Sequence, residues 1–565
     1  MGAVALAVYL LYNWTFLIPV HFDITDRLIG QGTDPLAWIW FYSWFPYALT
    51  QGSNPLISAV VWVPGGLNLT WTKCTMALAI LCWPITTHWG ACVTYNVIVL
   101  TAPALAAWMA YFLCREITGM FFPALFGGWL FGFSSYELGQ LLGHVDLFVN
   151  WPVPLLAWLA VRWYRKKLSD RAFVILATIT LFIELGISIE VFATTVLFGF
   201  TTLLIAYHVL PDPTAPRRLT RLMIYSTIIL PAVCLLALPF LGVMLFGPDH
   251  PYRSIYSPAV FSTDLANILI PTGTTWLDNG LLALLFGPMA GNISEQGAYI
   301  ALPLLVMWIL YIRSYWRTGT GKLVIVAAAM FMVFSLGPWL TILDHRFSIP
   351  LPWAIFTHLP LIKDALPARF TLYVWLATAV MAAMWMAQSQ SHWIFKLALT
   401  GATVLFLFPN LERPSLWCDV PTIPMFFQHG QYQHYIRRNE NVLLLPTGPD
   451  GEAVFIQAHC NFYFHIVGGY LGPPPPRMHS NHIELACFYG GQVSATARQV
   501  LHFFHHAKIG AVVISPAEAT VFQWLLSPLH IHPIEVGGVD FYEIKSPVPT
   551  NATHRSAGPV LPKTG

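Results

Sequence analysis

The chain has 565 residues, of which 56% are hydrophobic and 10% charged, with a formal net charge of +2 and a mean hydropathy of +0.61. Soluble proteins carry about 25% charged residues, so a single water-soluble core is excluded; many apolar runs reach the ~20 residues needed to cross a bilayer. No basic block points to nucleic acid, and the eight cysteines contain no CxxC pair, which argues against a structural zinc site.

Eleven spans are predicted in chain order, over residues 3–21, 90–113, 119–141, 146–163, 172–189, 190–209, 222–246, 297–313, 323–343, 369–388 and 393–409. The first run lacks a basic n-region and a small-residue cleavage site and reads as a retained span. With the N-terminus in the cytoplasm, the inside loops carry Arg115, the Arg162, Arg165, Lys166, Lys167 and Arg171 run, Arg217, Arg218 and Arg221, and then Arg313, Arg317 and Lys322. This is the bias of the positive-inside rule. Residues 75–89 are apolar but short and interrupted by Pro84; a span there would move Arg115 outside, so they read as an interfacial or re-entrant segment.

Residues 22–89, with interfacial helices, and residues 247–297 then lie outside, as do a shorter loop at 344–369 and the tail from 410. In the tail, NVLLLP (441–446) and AVVIS (511–515) read as buried strands, 495–507 as a helix and 536–544 as a closing strand. The predicted architecture is a polytopic α-helical membrane domain over 1–409 and a small extracytoplasmic α/β domain over 410–546. Prolines 473–476 form a rigid loop, and 547–565 is a disordered tail.

Several polar groups converge on the outer face in this topology. The stretch 21–44 places Asp23, Asp26 and Asp34 beside Trp38, Trp40 and Trp44. It reads either as a reaction centre or as solvated acids next to an interfacial aromatic belt. His144 and Asp146 sit where the third span meets the fourth, Asp264 and Glu295 bracket the second outer region, and Lys363 and Arg369 lead into the tenth span. Asp146 and Asp264 are equally candidates for helix N-caps, His144 for a local hydrogen bond and Glu295 for a loop acid. Arg369, on the side of the membrane where Arg is disfavoured, has the planar donor fork suited to phosphate. Glu184 and Glu190 end two apolar runs, where a tight outer hairpin at 186–190 would expose both. His502, His505 and His506 read as surface residues. There is no Walker A loop, HExxH or GxSxG, and the four N-x-S/T sequons, at Asn13, Asn68, Asn292 and Asn551, are short enough to arise by chance.

The arrangement resembles the GT-C class of integral-membrane glycosyltransferases, and within it a poorly characterised bacterial branch. The matching segments are TDPLAWIWFYSWFPYAL (33–49), WVPGGLNLTWT (62–72), SLGPWL (335–340), LPLIKDALPARF (359–370), QAHCNFYFHIVGGYLG (457–472) and GGVDFYEI (537–544). The resemblance implies a polyprenyl-phosphate-linked sugar as donor. It implies transfer to a glycan, lipid or protein acceptor at the outer face of the bacterial inner membrane, with the endoplasmic reticulum membrane as the other option. It makes Asp34 the catalytic or metal-binding first-loop acid, with Asp26 in reserve. In members that use a divalent cation (Mg or Mn), Asp146 would be the second ligand, although no compact DxD or ExD stands at either place. Physical chemistry adds Asp34 as the base for the acceptor hydroxyl, and Arg369 and Lys363 as stabilisers of the leaving phosphate. One outstanding acid favours inversion, since retention needs a second carboxylate about 5 Å away. Two rivals stand beside this reading: a lipid or sugar transporter or flippase, which would show paired broken helices and internal symmetry, and a non-catalytic scaffold that keeps the fold.

Overall fold

The computed structural model describes residues 1–17, 23–249, 257–278, 281–358 and 362–544. Helix α1 (Gly2–Leu17) leads to α2 (Asp34–Thr50) and then to α3 (Ala91–Thr118), an unbroken run of 28 residues. At 1.5 Å per residue α3 is about 42 Å long and spans the bundle from end to end. It stops at Gly119, a left-handed residue whose N–H donates back to the Arg115 carbonyl. Helix α4 (Phe121–Gly132) lies directly on it. A Cβ at Gly128 would stand 2.5 Å from the Ala107 carbonyl oxygen and one at Gly132 2.4 Å from that of Pro103, so the two backbones touch only because both positions lack a side chain. On the other flank α1 buries Asn13, whose Nδ2 donates to the Leu100 carbonyl at 2.9 Å.

The chain continues through α5 (Ser135–Gln140), α6 (Val145–Phe148), α7 (Pro152–Tyr164), α8 (Asp170–Ile187), α9 (Ile189–Val209) and α10 (Ala215–Leu236). After the second outer region come α11 (Leu302–Tyr315), α12 (Gly319–Ser335), α13 (Thr371–Gln388) and α14 (Trp393–Phe406). Among the described residues five helices are long and apolar enough to cross a membrane, and four more are apolar but shorter.

Four of the expected spans are broken, that at 146–163 across residues 149–151 between α6 and α7. The span expected at 119–141 ends at Gly132, where Ser134 caps a new helix by accepting from the Glu137 N–H. That at 222–246 breaks at Ala237, with Pro239 in the first turn of a separate helix, Leu238–Phe246. That at 323–343 ends at Ser335; Gly337 and Pro338 turn the chain into an antiparallel hairpin of Trp339–Ile342 with His345–Pro350. Residues 75–89 form two short helices, Met76–Leu81 and Trp83–Trp89, together too short to cross.

Beyond 410 the chain builds a five-stranded sheet of β1 (Asn441–Leu445), β2 (His465–Ile466), β3 (Ile509–Ile514), β4 (Ile534–Val536) and β5 (Val539–Glu543), in the order β2-β1-β3-β5-β4. Strand β1 runs parallel to β2 and β3, while β5 is antiparallel to β3 and β4. Helix Ala497–His506, opened by a Thr496/Gln499 capping box, precedes β3 and buries Val500, Phe503 and Phe504 against it. The expected tail from 547 lies outside the described residues.

The tryptophans of α2 are not a belt at a membrane surface. Trp38, Trp40 and Trp44 are buried, and each indole N–H is used: Trp38 donates to the Gly143 carbonyl, Trp40 to Gln457 Oε1 and Trp44 to the Pro55 carbonyl, at 2.7, 2.8 and 2.9 Å. Gln457, fully buried, also donates to the carbonyls of Val60 (2.8 Å) and Phe464 (3.1 Å). This one amide ties α2, the first outer region and the C-terminal sheet region together. Gln457→Ala strands the Trp40 indole N–H and the Phe464 carbonyl and leaves the Val60 carbonyl with only the Ile466 N–H, so it is expected to destabilise the protein by about 2 kcal/mol or more. Thermal unfolding of the purified variant in detergent, beside wild type, measures this.

Candidate functional site

A cavity of about 380 Å³ opens where the N-terminus of α2, the α5–α6 turn, the second outer region and the start of α13 meet the C-terminal region. Asp34 opens α2 at this point, with its carboxylate in the first turn, where the helix dipole favours negative charge. The preceding loop is fixed by α3. Asn96 accepts from the Ile29 N–H and donates to the carbonyls of Ile24 and Arg27, while Tyr95 Oη donates to that of Ile29. The C-terminal region closes the other side: Leu28 and Asp419 exchange backbone hydrogen bonds, and Thr33 Oγ1 donates to the Pro449 carbonyl at 2.6 Å.

The Asp34 carboxylate has a cation on each oxygen. Lys73 Nζ stands 2.5 Å from Oδ1 and His144 Nε2 3.0 Å from Oδ2. Gly143 makes the second contact possible, because a Cβ there would lie 3.0 Å from Pro35 Cδ and 3.2 Å from Asp34 Cβ. The His144 ring is oriented from behind: Nδ1 pairs with Gln140 Oε1 at 2.7 Å, and Gln140 Nε2 donates to the Ser294 carbonyl at 2.9 Å. That second bond turns the amide oxygen towards His144, so Nδ1 is a donor. Nε2 faces a carboxylate oxygen and must donate as well, which is the imidazolium pattern. Burial pushes the Asp34 carboxyl up, but the Lys73 ammonium and then His144 outweigh it and hold it well below the usual carboxylate range.

A second charged group forms the opposite wall. Arg369 donates through Nε and Nη2 to Glu295 Oε1 (2.9 and 2.7 Å) and through Nη1 to Glu190 Oε2 (2.5 Å). Burial raises the Glu295 carboxyl and the Arg369 guanidinium more than offsets that, leaving it lowered. Arg369 thus reaches the cavity with its charge already shared between two carboxylates, bracing α9, residues 293–295 and α13.

Asp34, His144, Glu295 and Arg369 all line this one cavity. Asp146 sits in α6 beside it, within electrostatic reach of Arg369, Lys73 and His144, and has no hydrogen bond or ion pair among the described residues. Three candidates lie elsewhere. Asp264 is no ligand-binding group: its buried carboxylate accepts from the backbone N–H groups of Ala266, Ala290, Leu343 and Asp344 and so staples the hairpin to the second outer region. Asp26 is an exposed loop acid and Lys363 an exposed loop cation; neither lines the cavity. The hairpin expected to expose Glu184 and Glu190 is capped at Ser188 instead. Glu184 is buried against Thr195 (3.0 Å) and Glu190 is held by Arg369.

Sequence reasoning missed Lys73, Gln140 and Tyr470. Lys73 is one of only two Lys or Arg residues, with Arg27, in the stretch 22–89 that the predicted topology places outside, where positive charge is disfavoured, and Gln140 stands four residues before His144; both signals were present. Tyr470 lies in a matched segment, but only the fold puts its ring 5.5 Å from Lys73 Nζ.

The donor set fits a divalent cation poorly. Asp34 already holds two cationic partners, and among the described residues no three His, Cys, Asp or Glu side chains converge as a metal site. Chelation is therefore expected to leave the melting temperature unchanged, as read by thermal unfolding with and without EDTA.

The helix bundle, with an acid at the head of α2 and an α/β region over the cavity, is similar in fold to solved GT-C glycosyltransferases. Solved structures with this fold include the archaeal oligosaccharyltransferase AglB from Archaeoglobus fulgidus in complex with an inhibitory peptide and a dolichol-phosphate (11% identity over 97% of this chain and 75% of that one, TM-score 0.53). ArnT from Cupriavidus metallidurans bound to undecaprenyl phosphate is similar over 96% of this chain and 97% of its own (10% identity, TM-score 0.50). The arabinofuranosyltransferase AftD from Mycobacteria matches over 96% of this chain, which corresponds to 40% of AftD (13% identity, TM-score 0.58). At these identities the likeness is one of fold. No family model and no curated protein matches the sequence.

The two partners of Asp34 fix a pH signature. A carboxyl held low in the folded state adds stability above its unfolded value of about 3.9, and that stability is lost progressively as pH falls from there towards the lower folded value. Lys73→Met removes the largest lowering influence and leaves the upward push of burial less opposed, so the window of loss narrows. The variant is expected to start with a lower melting temperature at neutral pH and to lose less of it than wild type on acidification from about pH 5 to 3. Asp34→Asn, which removes the titrating group, should flatten the same part of the profile.

Proposed function

We propose that this protein transfers a sugar from a polyprenyl-phosphate donor to an acceptor hydroxyl at the outer face of a bacterial inner membrane, with inversion, in the cavity headed by Asp34. The observation that carries the reading is the half-buried Asp34–Lys73–His144 constellation, which pairs a carboxylate with an ammonium at the mouth of a GT-C-like bundle. That the fold also holds dolichol-phosphate in AglB and undecaprenyl phosphate in ArnT supports a donor of that chemistry.

A carboxylate flanked by two cations is a weak base, and a base works best with a pKa near the operating pH. The donor resolves this. Its phosphate competes for the Lys73 ammonium; as Lys73 turns to a phosphate oxygen, Asp34 loses its closest cation and becomes more basic. The acceptor oxygen then attacks the anomeric carbon and its proton passes to Asp34. The bond from that carbon to the phosphate oxygen breaks, and the electron pair stays on the phosphate, neutralised by Lys73. His144 keeps Asp34 oriented, and Arg369, already paired, positions the opposite wall. Lys73 thus takes the phosphate role expected of Arg369. No step needs a metal.

Purified protein in nanodiscs, given a panel of radiolabelled polyprenyl-phosphate sugars, tests this. Asp34→Asn is expected to lower donor turnover by about 10²-fold or more with the fold intact. Lys73→Met is expected to raise the donor KM as well as to lower kcat. Turnover in Asp34→Asn within about tenfold of wild type would remove Asp34 as base. Donor binding without turnover in wild type would favour the scaffold.

A further inference from the structure

The opposite end of the bundle carries a second and larger cavity, of about 1150 Å³. Helix α3 fixes its place. Near its start Asn96 holds the Asp34 loop; near its end Glu116 pairs with Lys167 at 2.7 Å. Twenty residues of helix, about 30 Å, separate the two.

Five cations line this cavity: Lys166, Lys167, Arg217, Arg218 and Arg221; Asp170 is the acid among its lining residues. Lys167 is engaged by Glu116, Arg218 by the carbonyl and ring of Tyr164, and Arg221 only loosely by Asp170 at 3.7 Å. Lys166 and Arg217 have no hydrogen-bond or ion-pair partner among the described residues, and both are exposed. The cavity therefore carries a surplus of positive charge. Trp163, Tyr164 and Tyr207 stand among the cations, the ring chemistry of a headgroup level. From this rim an exposed apolar strip runs down the bundle: Tyr207, Leu204 and Phe200 on α9, and Ile224 and Ile228 on α10. These spacings keep each set on one helix face.

We propose that this cavity binds the phosphate headgroup of an anionic phospholipid, its acyl chains lying along the α9 and α10 strip. The positive-inside bias alone places cations in loops. It does not gather five around a cavity with aromatic rings and join them to an apolar strip; a free phosphate would use the cations and leave that strip without a role.

The test uses delipidated full-length protein in detergent, titrated with phosphatidylglycerol or phosphatidylcholine of the same acyl chains and read by native mass spectrometry. Phosphatidylglycerol is expected to be retained in preference. The triple variant Lys166→Gln, Arg217→Gln, Arg221→Gln should lower its retention by about fivefold or more, each basic residue near a lipid surface contributing about that factor. The control triple Arg313→Gln, Arg317→Gln, Lys322→Gln removes the same charge from the neighbouring loop, where Gly319 abuts Pro211, and should retain the lipid as wild type does. Equal loss in both triples, equal retention of the two lipids, or displacement of phosphatidylglycerol by millimolar inorganic phosphate would each overturn the assignment. Matched thermal unfolding of the variants excludes misfolding as the cause.

Discussion

Keeping Asp34 charged while it is largely removed from water is the constraint around which this structure is arranged. A carboxylate in that position needs compensation on both oxygens, and the two cations that supply it come from far apart in the chain. Lys73 arrives from the first outer region, with its backbone N–H donating to the Leu471 carbonyl. His144 arrives from the α5–α6 turn, set by Gln140 and the absence of a side chain at Gly143. The helix bundle and the C-terminal region meet at this ion group, and the Gln457 amide locks the same meeting a few residues further along α2.

The two walls of the cavity solve the same electrostatic problem in opposite ways. On one, a single carboxylate sits between cations; on the other, a single guanidinium sits between carboxylates. The first is poised to give up a cation, because the Lys73 ammonium is a compact charge on a flexible stem. The second is not, since the planar Arg369 fork spends three donors on two acids. A phosphate entering between them meets one exchangeable cation and one committed one.

The sequence shows the membrane character, the apolar runs that form α3, α9 and α13, and the short strands β1 and β3, because these follow from hydropathy and period alone. It shows Asp34, His144, Glu295 and Arg369 as candidates because charge is scarce in such a chain. What it hides depends on tertiary context. The apolar runs at 119–141, 222–246 and 323–343 carry their breaks at Ser134, Pro239 and Gly337, which hydropathy averages away. The α2 tryptophans look interfacial, yet they are core because Gly143, Gln457 and Pro55 supply partners for their N–H groups. Asp264 looks like a ligand but spends its carboxylate on four backbone amides, brought to it by segments 26 to 80 residues away as well as by its own turn.

The same distinction bears on how a donor would be chosen. Counting Asp34, Glu190 and Glu295 against Lys73, Arg369 and a charged His144, the paired groups balance, and Asp146 beside them has no partner. A bare anion gains little in such a place, since each cation it recruits leaves an acid uncompensated. A phosphate bearing a sugar differs, because its hydroxyls can donate to the acids that the phosphate strips of their cations. The cavity is thus matched to a ligand that brings a negative charge and several hydroxyl donors on one frame. Under the proposed reaction, release of the sugar would remove those donors and leave a polyprenyl phosphate in the less favourable position of the bare anion, favouring its departure.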